Sequence, residues 1–376
     1  MTNQQSLNSV DMLLNMGPQH PSTHGVFRMV LQIDGERVID VDPYIGYLHR
    51  GSEKLSEGEQ YAQIVTLFDR LDYLANFNNE LVFCMAVEKL MEVEIPERAE
   101  YIRVILCELN RIASHFLFYG TMGMDAGAST PILYGFRDRE KIQSVFESVS
   151  GARMMHNYFR IGGVKEDLPT DFFEKIYWLI DEIKKGVDQA DSLLSFNEIF
   201  LNRTRNIGLI NAEDAIDYGL TGPNLRASGV SYDLRKNDPY SIYDRFEFDV
   251  PIGEGIKGTV GDCWDRFYVR ILEIRESVKI IRQALASMPK DGDVHQSLPK
   301  KLRPPKGSIY SRTETPRGDL GYYIESDGSP IPYRLKMRSP AFTALSVIDE
   351  IGAGWLLSDV LAILGSLDIV LGEIDR

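Results

Sequence analysis

The chain has 376 residues, 44% hydrophobic and 26% charged, a composition that builds a sizeable core and excludes disorder. Its formal net charge of −14 argues against unaided binding to nucleic acid or anionic lipid. Cys84, Cys107 and Cys263 are too far apart for a CxxC clamp or a disulfide framework, so reduced, buried thiols in a cytosolic compartment are expected.

Residues 1–10 are polar and lack the charged-then-apolar pattern of a secretory signal. Residues 17–25 (GPQHPSTHG) form a tight, polar loop, because two prolines and the flanking glycines bar helix and central strand. His20 and His24 have H-x₃-H spacing, but the same frame forbids the helix that would turn both imidazoles toward zinc. A histidine that only hydrogen-bonds within the loop and one presented to a ligand both remain open. Residues 26–33 and 37–41 flank Asp34-Gly35-Glu36 as a hairpin.

From about residue 71 to 288 the pattern is predominantly helical. Asp69-Arg70-Leu71-Asp72-Tyr73 is expected to open the helix of residues 71–91, with acids in its first turn and Tyr73 half-buried and hydrogen-bonded. Pro96 opens an amphipathic helix that buries Ala99, Ile102, Ile105, Leu109, Ile112 and Phe116. Asp125 follows among small and apolar residues, where an unpaired carboxylate is costly, so a histidine or arginine partner is expected. Thr130 as N-cap, with Pro131 behind it, starts a helix ending at Ser150 before Gly151. Residues 170–194 and 262–288 complete the long helices. Residues 246–250 alternate like a strand, and Gly253-Glu254-Gly255-Ile256-Lys257-Gly258 matches G-x-G-x-x-G. Without a βαβ context this predicts a flexible loop rather than a nucleotide site.

Beyond Pro289, residues 298–305 read as a connector, and residues 307–313, 320–326 and 333–338 as strands with Asp327-Gly328 as a turn. A short helix over residues 358–365 is expected, capped by Ser358. The most apolar stretch, residues 351–371, contains Asp359 and Asp368 and no uncharged run of the ~18–20 residues a bilayer span needs, so no crossing is expected. The predicted class is α+β: a long-helix bundle core with small β-sheets from the N- and C-terminal segments. A β/loop region covers residues 1–68, the helical core 69–289 and an α+β region 290–376.

Several strings together carry a resemblance. These are the loop at 17–25, GYLHRGSEK at 46–54, DRLDYL at 69–74, residues 103–115, GARMMHNYFRIGGVKEDL at 151–168, residues 220–236 and 276–285, and the ending at 365–376. They resemble the 49-kilodalton-type component of respiratory complex I, its D-type subunit, from about residue 11 to the last. The resemblance implies one domain over 1–376, like the large subunit of nickel–iron hydrogenases. Laid beside hydrogenase metal motifs, Asp72, Ala75, Val370 and Glu373 stand at the four cysteines and Arg376 at the histidine. A soft thiolate metal site cannot be built from these side chains.

The implied function is quinone binding in a proton-translocating NADH:quinone oxidoreductase, with quinone reduced to quinol by electrons from an iron–sulfur cluster in a neighbouring subunit. His24 and Tyr73 would hydrogen-bond the head-group carbonyls, and Asp125 would pair with His24, favouring its imidazolium. His20, Thr23, Arg50, Arg70, Thr121 and His156 would lie in the quinone pocket or near the cluster. Some relatives carry a histidine, proposed to couple cluster reduction to protonation, where this chain has Met155. Methionine binds no proton, which puts that coupling in doubt unless His156 substitutes. No cofactor would be held by this chain, and NAD would bind elsewhere in the complex. Implied partners are the B-type iron–sulfur subunit that carries the terminal cluster, the C-type and I-type subunits, and membrane-arm subunits at the junction. The implied location is peripheral, on the cytoplasmic side of the cell inner membrane. The same role in a ferredoxin- or F420H2-fed complex, and a scaffold joining two arms without catalysis, are the alternatives.

Overall fold

The computed structural model describes residues 12–19 and 25–376. Strands β1 (Met12–Met16), β2 (Arg28–Asp34) and β3 (Arg37–Tyr44) form an antiparallel sheet in chain order. Asp34 pairs with Arg37, which leaves Gly35 and Glu36 as a two-residue turn, with Gly35 at φ 63°. A glycine at positive φ in the first turn position matches the twist of the flanking strands. Met29, Leu31 and Ile33 face the core at every second position. The outer edge of β3 is covered, since Val38 N–H donates to Trp355 O and Gly354 N–H to Val38 O, 2.8 Å each.

The core is built on the helix Glu97–Asp125, which packs against Thr130–Ser150, Cys263–Ser287 and Asn76–Met91. Glycines set the approach of the first pair. A Cβ on Gly135 would lie 2.4 Å from Phe116 O, and one on Gly120 would lie 2.8 Å from Ile132 Cα. The antiparallel strands β6 (Gly307–Thr315), β7 (Gly318–Ser326) and β8 (Arg334–Arg338) form a second sheet, lying on Asn76–Met91 through β6 and β7. Its tight hairpin turn, Pro316-Arg317, reaches into the centre of the molecule, where Arg317 is 2% exposed. Between these parts, β4 (Phe159–Arg160) and β5 (Gly163–Val164) form a two-stranded pair. The α+β class with a long-helix core is as expected, all three cysteines are buried and unbridged, and among the described residues no helix is long and apolar enough to cross a membrane.

Five local expectations are corrected. Residues 69–75 do not open a helix but form the turn between Tyr61–Phe68 and Asn76–Met91. Asp72 serves that turn instead, because its Oδ1 accepts the Leu74 N–H at 3.1 Å. Ser129, not Thr130, precedes the helix Thr130–Ser150, although Pro131 lies in its first turn and Gly151 at φ 82° ends it, both as expected. The helix expected over 170–194 stops at Ala190 and continues as a π-helical turn, Asp191–Ser195, where Ser195 O accepts the Trp264 indole N–H at 2.8 Å. Ser358 does not cap Leu357–Ser366; its Oγ instead accepts from Arg203 at 3.2 Å.

Residues 246–250 are not a strand. The N–H groups of Glu247 and Asp249 go to Gln283 and Glu276 on the helix Cys263–Ser287, each at 2.9 Å. The alternation records which residues are buried, since Phe246 lies beside Tyr101 and Tyr243, and Phe248 beneath Arg235 and Lys236. In the glycine string that follows, Gly253 N–H donates to Arg226 O at 2.8 Å, and a Cβ on Gly253 would fall 1.9 Å from Ala227 O. Close chain packing, rather than a phosphate, accounts for this glycine. Gly253→Ala is therefore expected to cost ~1–3 kcal/mol or more through overpacking. Lys257→Ala in the same loop should cost less than ~0.5 kcal/mol. Urea unfolding of the two variants checks this, and equal midpoints would contradict it.

Candidate functional site

Tyr73 sits in the 69–75 turn, half-buried against the chain's last segment. A Cβ on Gly372 would lie 2.5 Å from Leu71 O and 3.3 Å from Tyr73 Cδ1, so only glycine there lets the two backbones touch. Next to Tyr73, Asp72 Oδ2 accepts from Arg317 Nη1 at 2.9 Å, and the same nitrogen donates to Ser114 Oγ at 2.8 Å. Arg317 Nη2 continues to Asp368 Oδ1 at 3.3 Å, and Asp368 Oδ2 lies 3.6 Å from Arg270 Nε. Burial pushes the Tyr73 hydroxyl above its ordinary pKa; Asp72 and Asp368 add to this and Arg317 opposes it. The phenol is thus held in its proton-bearing form. Among the described residues its hydroxyl has no hydrogen-bond partner, contrary to the expectation of a hydrogen-bonded tyrosine.

Glu373 completes this cluster and is 2% exposed. Burial and the nearby Asp72 push its carboxyl up to about 8, against the opposing pull of Arg317. Of the positions laid beside hydrogenase cysteines, Asp72 from one end of the chain and Glu373 from the other therefore do meet, but around a guanidinium. Asp375 ties the ends further, because its carboxylate accepts Gly46 N–H at 2.8 Å and Leu48 N–H at 2.6 Å.

Asp125 ends the helix Glu97–Asp125. Ala128 N–H returns to Gly123 O at 2.8 Å and Gly127 N–H to Met124 O at 2.9 Å, with Gly127 at φ 93°, closing a Schellman stop. Its carboxylate lies against Gly365, whose Cβ would fall 2.6 Å from Asp125 Oδ2. No histidine or arginine partner for Asp125 occurs among the described residues. Burial pushes its pKa up to about 7, and the negative end of the helix acts in the same direction. His24, the expected partner, lies outside the described residues, as do His20 and Thr23. Gly365 and Gly372, which touch Asp125 and Tyr73, belong to one C-terminal segment, so these two candidates line the same stretch of chain.

The remaining candidates are dispersed around this region. Thr121 stands one helical turn before Asp125, its hydroxyl bonded back to Leu117 O at 3.2 Å and Phe118 O at 3.1 Å. Arg50 and Arg70 are exposed side by side, with Arg50 Nη2 donating to Arg70 O at 2.7 Å. His156 is buried and stacked on Phe77, ring centroids 4.1 Å apart. Its Nδ1 lies 3.1 Å from Ala152 O, and burial pushes its pKa down to about 4. It is a neutral, packed ring, unsuited to take up a proton in place of a histidine at 155. Met155 itself has φ 55°, and its sulfur accepts from Asn76 Nδ2 at 3.3 Å.

Sequence reasoning missed Arg317 and the large buried ionic network deeper in the core. There Arg235 pairs with Asp233 at 2.6 Å and Glu108 at 3.1 Å, Arg111 with Glu108 at 3.2 Å, and Arg226 with Glu314 at 2.9 Å. Arg226 also pairs with Glu273, which is 2.7 Å from His115. No local signal marks Arg317, because a charged residue in a Pro-Arg-Gly hairpin turn normally points to water. Among the described residues no cluster of three or more His, Cys, Asp or Glu side chains suits a metal ion.

Residues 125–302 and 294–376 match the family described as respiratory-chain NADH dehydrogenase, 49 Kd subunit. The D subunit of NADH-quinone oxidoreductase from Bacillus mycoides (strain KBAB4) is 51% identical over 365 residues, covering 97% of this chain and 98% of that protein. The protein of the same name from Carboxydothermus hydrogenoformans is 49% identical over 369 residues, covering 98% of this chain and 100% of its own length.

Proposed function

Because the chain belongs to the family of the 49-kilodalton subunit of respiratory-chain NADH dehydrogenase, we propose that it forms the quinone-reducing site of a complex I-type NADH:quinone oxidoreductase. The observation that carries the reading is Tyr73: a half-buried phenol, kept protonated by its surroundings, with its hydroxyl unengaged by the described residues. Reduction of a quinone to its quinol takes two electrons and two protons, and each proton donor must reach a carbonyl oxygen. Tyr73 donates to one carbonyl and His24 to the other. Asp125 pairs with His24, and the imidazolium would in turn draw the Asp125 carboxyl below its lone value of about 7.

An iron–sulfur cluster in a neighbouring B-type subunit supplies the electrons. Arg50 and Arg70, exposed and adjacent, face that subunit, where their positive charge favours the reduced cluster. NAD binds elsewhere in the complex, and the chain lies peripherally on the cytoplasmic side of the membrane, against the C-type and I-type subunits and the membrane arm. Quinol formation at this site is coupled to proton translocation through those membrane subunits.

A photoreactive quinone analogue, irradiated with the assembled complex, tests the site. Labelling is expected on peptides containing residues 17–25, 69–75 or 121–126, and excess unmodified quinone should suppress it. Competable labelling confined to other subunits would overturn the assignment.

A further inference from the structure

Asp69 and Glu80 are both fully buried, on the turn that leads to Tyr73 and on the helix Asn76–Met91, and their carboxyls act on each other as neighbours. The outer oxygens are engaged by one short loop. Glu80 Oε2 accepts the N–H groups of Tyr158 at 3.0 Å and Phe159 at 2.7 Å, while Asp69 Oδ2 accepts that of Asn157 at 3.2 Å. Among the described residues no N–H or hydroxyl reaches the inner oxygens, Asp69 Oδ1 and Glu80 Oε1. Two buried oxygens that share no donor are satisfied together by one proton between them, and unsatisfied as two carboxylates.

Arg70, on the same turn, opposes the rise at Asp69 without overcoming it, since it is exposed and directs its guanidinium to Thr66 O. The other titratable groups facing the pair are Cys84 on the Glu80 helix and Cys107 on Glu97–Asp125, whose thiols burial pushes up and keeps neutral. His156, whose N–H also approaches Asp69, is held neutral. The loop has strained points, with Met155 at φ 55° and Asn157 at φ 44°. Such backbone persists only where its surroundings fix it, and the carboxyl pair provides that fixing. Asn76 joins both sides, donating to Asp69 O at 2.7 Å and to the Met155 sulfur at 3.3 Å.

We propose that Asp69 and Glu80 form a one-proton binding site whose occupancy fastens the 155–159 loop to the turn that bears Arg70 and Tyr73. With the proton bound, the pair carries a single negative charge spread over two oxygens that accept backbone N–H groups. When the proton leaves, two carboxylates face each other inside the core, and the loop opens to let water reach them. Burial holds both groups above the ordinary carboxylate range, Asp69 at about 6 and Glu80 well above its usual value. The fastening is therefore complete at low pH and lost as pH rises through the pair's closed-loop titration. Only the naming of Tyr73 as a proton donor depends on the proposed function; the proton site stands on the carboxyl geometry.

The test uses the assembled complex without quinone, so that a failure here and a failure of the quinone assignment are separate results. Glu80→Gln reproduces every bond without a proton, because the amide N–H₂ donates to Asp69 and the amide oxygen accepts from Tyr158 and Phe159. In the wild type, backbone exchange at residues 156–159, corrected for intrinsic rate, should rise about tenfold per pH unit across the titration window. In Glu80→Gln it should stay flat. Infrared difference spectra should show a protonated-carboxyl C=O component that disappears on alkalinisation in the wild type and is lost in both Glu80→Gln and Asp69→Asn, beside the components of Asp125, Glu314 and Glu373 that both variants keep. Exchange in the wild type that ignores pH, or protonated-carboxyl spectra identical in the wild type and both variants, overturns the proposal. If Glu80→Gln does not assemble, Asp69→Asn and the wild-type infrared titration decide the same question.

Discussion

Tyr73→Phe is expected to leave the complex assembled and to lower its quinone-reductase turnover by ~100-fold or more, the range associated with loss of a positioned general acid. The substitution removes one oxygen and nothing else. The ring keeps its place beside Gly372, and no bond to a described residue is broken, so the fold loses little. What is lost is a proton held ready in a half-buried site. The surroundings raise the phenol above its usual pKa, so wild-type activity should not fall through ionisation of Tyr73 until well into the alkaline range. A control, Tyr44→Phe at the exposed end of β3, should turn over normally. Quinone-reductase rates of membranes with equal complex content check both. Normal rates in Tyr73→Phe would remove the proton-donor role and favour a scaffold that only joins the arms of the complex.

Elements set by neighbouring residues were legible in the sequence. Pro96 begins a helix, Gly151 ends one in a left-handed conformation, and Asp262 caps Cys263–Ser287 by accepting the Asp265 N–H at 2.8 Å. These signals act within one helical turn, so spacing reveals them. Errors arose where a local pattern had a distant cause. Residues 69–75 look like a helix opening because acids suit a first turn, yet Asp72 is committed to Arg317, 245 residues away in sequence. Residues 246–250 alternate because Phe246 and Phe248 are buried on tertiary contacts while the intervening N–H groups go to helix side chains, not because they pair in a sheet. In the candidate site, the loop 46–54, the turn 69–75 and the chain end were named as strings and do converge, with Asp375 and Gly372 as the points of contact. Their shared cation was not legible, and neither was the Asp69–Glu80 pair, since nothing about two acids eleven positions apart on a turn and a helix announces a shared proton.

The largest loss of stability is expected from Arg226→Met, at ~3–5 kcal/mol, the range for removing one member of a buried ion pair. Arg226 is fully buried and serves Glu273 and Glu314, with Asp233 at 3.5 Å and Tyr232 O at 3.0 Å. Methionine fills much of the space but leaves these carboxyls facing each other in the core. The network already holds more acid than base: Arg111, Arg226 and Arg235 face Glu108, Asp233, Glu273 and Glu314, and burial depresses the pKa of His115. Glu314 absorbs the imbalance. Burial and Asp233 raise its pKa to about 7, against the opposing pull of Arg226. Removing Arg226 takes away that pull, so Glu314 should hold its proton to still higher pH. An acid whose folded pKa lies above its unfolded value stabilises the fold at low pH and loses that contribution as pH rises through the folded pKa. The deficit of Arg226→Met should therefore be smaller at pH 6 than at pH 8. Adding Glu314→Gln should flatten this difference, because a neutral amide has no proton to lose. Urea unfolding of the three proteins at the two pH values, followed by fluorescence of the buried Trp264, measures it. A deficit below ~1 kcal/mol, or one that grows on acidification, would mean that Arg226 does not hold the charges of the core in balance.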